Sequence, residues 1–134
     1  MATINKFEDL EIWQLSRKLY NRLSPVIETL KIKREYRFAE QMRYASGSIM
    51  DNIAEGFERS SKLEFVNSLG ISKGELGELK FQLYRCIDNN FINQAEFEAI
   101  YAEADILSRK IASFIIYLNS TVHKGLKFKD RLKS

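Results

Sequence analysis

Phe97, Ile100, Ala104, Leu107, Ile111, Phe114, Leu118 and Val122 follow one another at steps of three and four residues. Steps of that size hold side chains on one face of an α-helix, and their alternation is the signature of helices packed side by side in a left-handed bundle. Upstream, Phe65, Leu69, Ser72, Leu76, Leu79, Leu83 and Cys86 repeat the pattern. Two seams this long must be covered by other helices, and no stretch of alternating period competes with them, so the chain is confined to an all-α class.

The helix boundaries are written in the sequence as caps. Ser61-Lys-Leu-Glu64 and Asn93-Gln-Ala-Glu96 have the form of capping boxes, in which the first side chain and the fourth satisfy amides that a helix's first turn leaves unpaired. They open a third and a fourth helix. A second helix over about 35–58 gathers Phe38, Ala39, Met42, Ile49, Met50, Ile53, Ala54 and Phe57 on one arc. A first begins near Asp9 and carries Leu10, Ile12, Trp13, Leu15, Leu19, Tyr20 and Leu23. Pro25 is expected to kink it or end it at Ser24, with Val26, Ile27 and Leu30 forming one further turn, because proline removes a helix hydrogen bond and disfavours helical geometry just before it. Short connections favour antiparallel neighbours, so the expected fold is an up-down-up-down four-helix bundle over residues 1–122, followed by a tail, 123–134.

A chain of 134 residues with 45% hydrophobic and 29% charged residues suits one globular domain with its own core. The single cysteine, Cys86, excludes an internal disulfide, and with the single histidine, His123, it cannot complete a Cys/His zinc site. Neither a signal segment nor an apolar run of about 18 residues is present, so a cytoplasmic setting is expected. The net charge of +3 is unevenly spread. Lys124, Lys127, Lys129, Arg131 and Lys133 face only Asp130 in the tail, a balance of +4, while the preceding 122 residues carry 16 basic and 17 acidic groups. Such an arm either meets phosphate or an acidic partner, or serves as a solubilising terminus.

Two further features need a purpose. Gly70, Gly74 and Gly77 sit within the third helix, where each costs about 1 kcal/mol relative to alanine. They line one face beside the leucine seam and are expected to admit a close helix, either within the chain, against Ala45-Ser46-Gly47-Ser48, or between chains. On the second helix, Arg34, Arg37, Gln41, Tyr44, Ser48, Asn52, Glu55 and Arg59 make a stripe away from the apolar arc. Its mix of amide, hydroxyl and both charge signs suits a polar interface, in which Gln41, Ser48, Asn52, Glu55 and Arg59 would meet another subunit. A solvated face accounts for the same periodicity.

Catalytic chemistry is poorly supplied. A di-metal carboxylate bundle needs two Glu-x-x-His pairs, and His123 has no Glu three residues before it; Glu55 and Glu58 read as surface charge. Cys86 falls on a seam with no histidine to activate it, and the three glycines lie inside a helix rather than in a phosphate-binding loop. No metal, no cofactor and no enzymatic activity are expected.

The segments "FEDLEIW" and "EQMRYASGSIMDNIAEGFERSSKLEFVNSLGISKGELGEL" resemble the four-helix bundle family encoded by intervening sequences within bacterial 23S ribosomal RNA genes. The likeness spans about residues 7 to 120, with Asn52-Ile-Ala-Glu-Gly56, Arg59, Ser61, Glu64 and Phe65 its most specific part. It implies an antiparallel bundle that assembles into a ring-shaped homo-oligomer, a pentamer, without known catalysis. Similar basic bundles accompany diversity-generating retroelements and are thought to bind nucleic acid and a reverse transcriptase. Gln41, Arg43, Ser48, Asn52, Glu55, Gly56 and Arg59 match the family's motif. The expected function is therefore a non-enzymatic homo-oligomer that binds RNA or DNA through Lys31, Lys33, Arg34, Arg37, Lys124, Lys127, Lys129, Arg131 and Lys133. The competing expectation is a scaffold for protein partners. A third, an enzyme using Glu55 or Cys86, is the least supported by the residues.

Overall fold

A computed structural model describes residues 4–121. Basic-tail residues 123–134, and with them five of the nine expected nucleic-acid contacts, lie outside the described residues. After a 3-10 turn, Phe7–Asp9, come four helices: α1, Glu11–Ile32; α2, Tyr36–Glu58; α3, Lys62–Asp88; and α4, Gln94–Asn119. Consecutive helices pack as neighbours, and α4 closes on α1, so the chain is an all-α four-helix bundle. The expected seams form the core. Phe65, Leu69, Ser72, Leu76, Leu79, Leu83 and Cys86 of α3 are all buried, as are Ile100, Ala104, Leu107, Ile111 and Leu118 of α4.

The caps explain where α3 and α4 begin. At Asn93 the box is complete: its Oδ1 accepts from the Glu96 amide at 2.8 Å, and the Glu96 carboxylate accepts from the Asn93 amide at 2.9 Å. At Ser61 only half of it forms. Ser61 Oγ accepts from the Glu64 amide at 3.4 Å, while the Glu64 carboxylate turns instead to the Arg59 guanidinium at 3.1 Å. The guanidinium and the Ser61 amide compete for the one carboxylate, and here the guanidinium has it.

The tightest contact joins α2 to α3. A Cβ added to Gly56 would meet Ser68 Cβ at 2.6 Å and Phe65 Cδ1 at 3.0 Å, so only glycine lets the two backbones approach there. Two turns along, Ser72 Oγ donates to the Ile49 carbonyl at 2.8 Å within the buried interface. Phe57, Phe65 and Phe114 follow each other edge to face at one end of the bundle, with centroids 6.0 and 5.6 Å apart. At the other end, Phe38 meets Phe91 at 6.4 Å. Ion pairs fasten α4: Arg22 to Glu103 at 2.9 Å, Lys110 to Glu11 at 3.2 Å and Lys80 to Asp105 at 2.9 Å.

Two expectations are overturned. α1 does not stop at Ser24 but runs through Pro25 to Ile32, and Val26, Ile27 and Leu30 are buried in it. Pro25 is exposed, as is Asn21, whose carbonyl loses its helical donor, so the missing hydrogen bond falls on the wet side where water replaces it. The three glycines of α3 do not serve packing within the chain either. Side chains added at Gly70, Gly74 and Gly77 would meet nothing within 4 Å. The small-residue contact between α2 and α3 is made by Gly56, one helical face away from where they lie.

Unfolding measurements on two variants check this account. Gly56→Ala should lower stability by about 1–3 kcal/mol, since Ser68 and Phe65 are anchored in the core and cannot yield. Pro25→Ala should raise it, by up to about 3 kcal/mol, by restoring the hydrogen bond on a face with no steric objection.

Candidate functional site

Four of the expected cations fall together. Lys31, Lys33, Arg34 and Arg37 are exposed around the turn that joins α1 to α2. Lys31 is loosely paired with Glu28 at 3.7 Å, whereas among the described residues Lys33, Arg34 and Arg37 have no acidic partner. Arg34 is at a φ of 63°, a left-handed conformation that side chains other than glycine and asparagine seldom adopt. That residue ends α1, with the Glu35 amide donating back to the Leu30 carbonyl at 2.8 Å. α2 then starts without a side-chain cap and with no acidic residue in its first turn. The α3–α4 turn lies alongside, because Phe38 touches Phe91 and the Arg85 guanidinium sits 4.1 Å above the Phe38 ring. Arg85 thus brings a fifth exposed cation to this tip, a placement that sequence could not show because Phe38 is far away along the chain.

The polar stripe of α2 borders a cleft of about 430 Å³ against Tyr20 of α1. Ser48, Asn52 and Glu55 line it; Gln41 is exposed beyond it; and Arg59 is committed to Glu64 within the chain. The Asn52 amide nitrogen donates to the Ser48 carbonyl at 2.9 Å and to Ser48 Oγ at 3.0 Å, which fixes the side chain along its own helix. Acid dominates the cleft. The Arg43 guanidinium, hydrogen-bonded at 3.2 Å, holds the Glu40 carboxyl below its usual range. Burial, and then the charge of Glu55, push Asp51 up. With Glu40, Asp51 and Glu55 against Arg43 alone, this cleft is unfavourable to phosphate, unlike the tip at the start of the same stripe.

A third surface was not foreseen in this form. Gly70, Gly74 and Gly77 open outward from α3, and on the same face Leu63 is 68% exposed and Phe81 73% exposed. Large apolar side chains flanking a side-chain-free notch form a face suited to close helix packing, and none of the described residues covers the notch.

A family model for the 23S rRNA-intervening sequence protein matches residues 8–113. The chain belongs to that family. The bundle is also similar to the crystal structure of a protein with unknown function from the S23 ribosomal protein family of Bacteroides thetaiotaomicron VPI-5482. The two share 23% identity with a TM-score of 0.74, over 78% of this chain and 97% of that one, a likeness of fold. No curated protein matches.

Elsewhere in the chain, Cys86 is buried and its thiol is pushed up to about 11 by that burial, so it is poorly disposed to ionise. Among the described residues no group of three or more His, Cys, Asp or Glu is placed to hold a metal ion, and no helix is long and apolar enough to cross a membrane. His123 lies outside the described residues.

One acid is set apart from the rest. Glu75, on α3, has a buried oxygen without a hydrogen-bond partner, and Gln82, two turns on, has another. Burial, with Glu78 one turn away, raises the Glu75 carboxyl from about 4.5 to about 7. A carboxyl raised by folding binds a proton in the native state while the unfolded chain has released it, so its contribution is complete below about pH 4.5 and is lost as pH climbs to about 7. Thermal unfolding should show Glu75→Gln melting higher than the parent at pH 8, with the difference vanishing near pH 4.5.

Proposed function

We propose that this protein is a cytoplasmic, non-enzymatic homo-oligomer that holds the phosphate backbone of RNA or DNA. The observation that carries the proposal is the tip at the α1–α2 turn, where Lys33, Arg34 and Arg37 stand exposed and free of acidic partners beside Lys31 and Arg85. Unpaired surface cations clustered at one turn gain little from folding and much from releasing the counterions of a polyphosphate. Arg34 strengthens the case, because its left-handed conformation costs about 1 kcal/mol that glycine would avoid, and the position nonetheless carries a guanidinium. The tail cations would add to the same electrostatic term.

Assembly is supported by the outward face of α3. Three glycines at a cost of about 1 kcal/mol each bring no benefit within the chain, which a neighbouring copy's helix against the Gly70–Gly74–Gly77 notch would reverse. The α2 stripe, with Gln41, Ser48, Asn52, Glu55 and Arg59, is a second contact in the same proposal. A ring of five is the size that the family resemblance implies, and a reverse transcriptase is the protein partner it suggests.

Binding to a structured RNA should weaken steeply with salt. Combining Arg34→Gly with Arg37→Gln should lower the slope of log K against log salt by about 1.4 to 1.8, at 0.7 to 0.9 per lost phosphate contact, while Arg34→Gly alone raises thermal stability. Affinity that is absent at low salt, or untouched by both changes, would refute the nucleic-acid reading. For assembly, Gly74→Arg and Gly77→Arg project into open space in the single chain and should leave its fold intact while reducing the mass seen by light scattering. Asn52→Ala with Glu55→Ala tests the α2 stripe by the same measurement, and an unchanged mass in both experiments would exclude these faces.

A further inference from the structure

Two large side chains at the basic tip carry no cationic charge yet stand exposed. Ile32 is 82% exposed at the last residue of α1, and Tyr36 is 62% exposed at the first residue of α2. Leaving both apolar surfaces in water is unfavourable, and the adjacent core is already filled by Leu30 and Phe38. Ile32 and Tyr36 are interspersed among the cations in the run Lys31-Ile32-Lys33-Arg34-Glu35-Tyr36-Arg37, in which Glu35 is the one acid. Duplexes keep their base faces stacked inside, where no surface ring can reach them, whereas an unpaired strand presents a base beside every phosphate.

We infer that the α1–α2 tip binds unpaired nucleotides, with the Tyr36 ring stacked on a base, Ile32 against its neighbour and Lys33, Arg34 and Arg37 on the flanking phosphates. Stacking on an aromatic ring is tolerant of base identity, because every base has a π face, so the site selects strandedness rather than sequence. The α3–α4 turn borders it with Arg85 and the exposed Asn90, whose side-chain amide can meet a base edge. The inference rests on the phosphate-binding reading above and adds to it the class of strand.

The test compares oligo-uridine, oligo-deoxythymidine and a fully paired RNA hairpin stem on the full-length protein at low salt, with Tyr36→Ala and Tyr36→Trp beside the parent. Tyr36 is exposed, so neither change should disturb helical content, which circular dichroism verifies. Tyr36→Ala should weaken both single strands about 5- to 150-fold, the range for one lost base stack, with the salt slope unchanged. Tyr36→Trp should retain affinity and show fluorescence quenching on binding, and the stem should be indifferent to either change. Equal losses on stem and single strands, no loss on any, or a fall in oligomeric mass on Tyr36→Ala would overturn the stacking site while leaving phosphate binding intact. If the parent binds none of the three probes, the phosphate-binding reading fails, and this one with it.

Discussion

The close approach of α2 and α3 at Gly56 is the constraint on which the other placements depend. With Ser68 and Phe65 pressed against a residue that has no side chain, neither helix can slide or rotate without a clash. The Ser72 to Ile49 hydrogen bond and the Arg85 to Phe38 contact then follow at successive levels of an antiparallel pair. That register carries the α3–α4 turn to the side of the α1–α2 turn, so the fifth cation reaches the tip because Gly56, 18 residues after Phe38 on α2, fixes the alignment. The seam is also where small polar side chains are spent well: Ser46 and Ser72 are buried, and each finds a backbone carbonyl.

What could be read from the sequence was whatever depends on local period or local caps. The seams of α3 and α4 are visible because burial imposes a step of three or four on every turn, and Asn93 and Glu96 announce a helix start because their reciprocal bonds need only neighbouring residues. Pro25 was misleading for a reason that lies outside its own segment: its cost depends on which face of α1 is wet, which is set by α2 and α4. The glycines failed similarly. A helical wheel shows that Gly70, Gly74 and Gly77 share a face but not what stands opposite, whereas Gly56, within a motif otherwise read for its polar neighbours, proved to be the close contact. Of the candidate site, the run Lys31 to Arg37 was legible as charge; the exposure of Ile32 and Tyr36 and the arrival of Arg85 required the tertiary structure.

Charge is sorted along the molecule rather than averaged. The tip is basic, the α2 cleft acidic, and α4 hands the chain to the basic tail at the end remote from the tip, about 39 Å away for 26 helical residues. The α1–α2 turn and the C-terminal end of α4 therefore occupy opposite ends of the bundle. Lateral packing through α3 leaves both ends free. In a cyclic assembly of parallel bundles it would also bring every tip to one rim, where modest cation clusters repeat at fixed spacing and act together on one strand.

Arg34 shows why such a tip is kept at some expense to the fold. At the residue after a helix, glycine relieves the left-handed strain; the two comparable turns of this bundle use Asn90, for which that conformation is less costly, and Ser60, which like Arg34 bears the strain. Arginine has the bulk without the compensation, and its side chain is exposed, so no packing gain offsets the strain. Part of that strain is offset within the chain by the hydrogen bond from the Glu35 amide to the Leu30 carbonyl. In the proposed complex a phosphate oxygen would add to that: its bond to a guanidinium is charge-assisted and bidentate in geometry, and Arg34 stands exposed at the helix end to meet it.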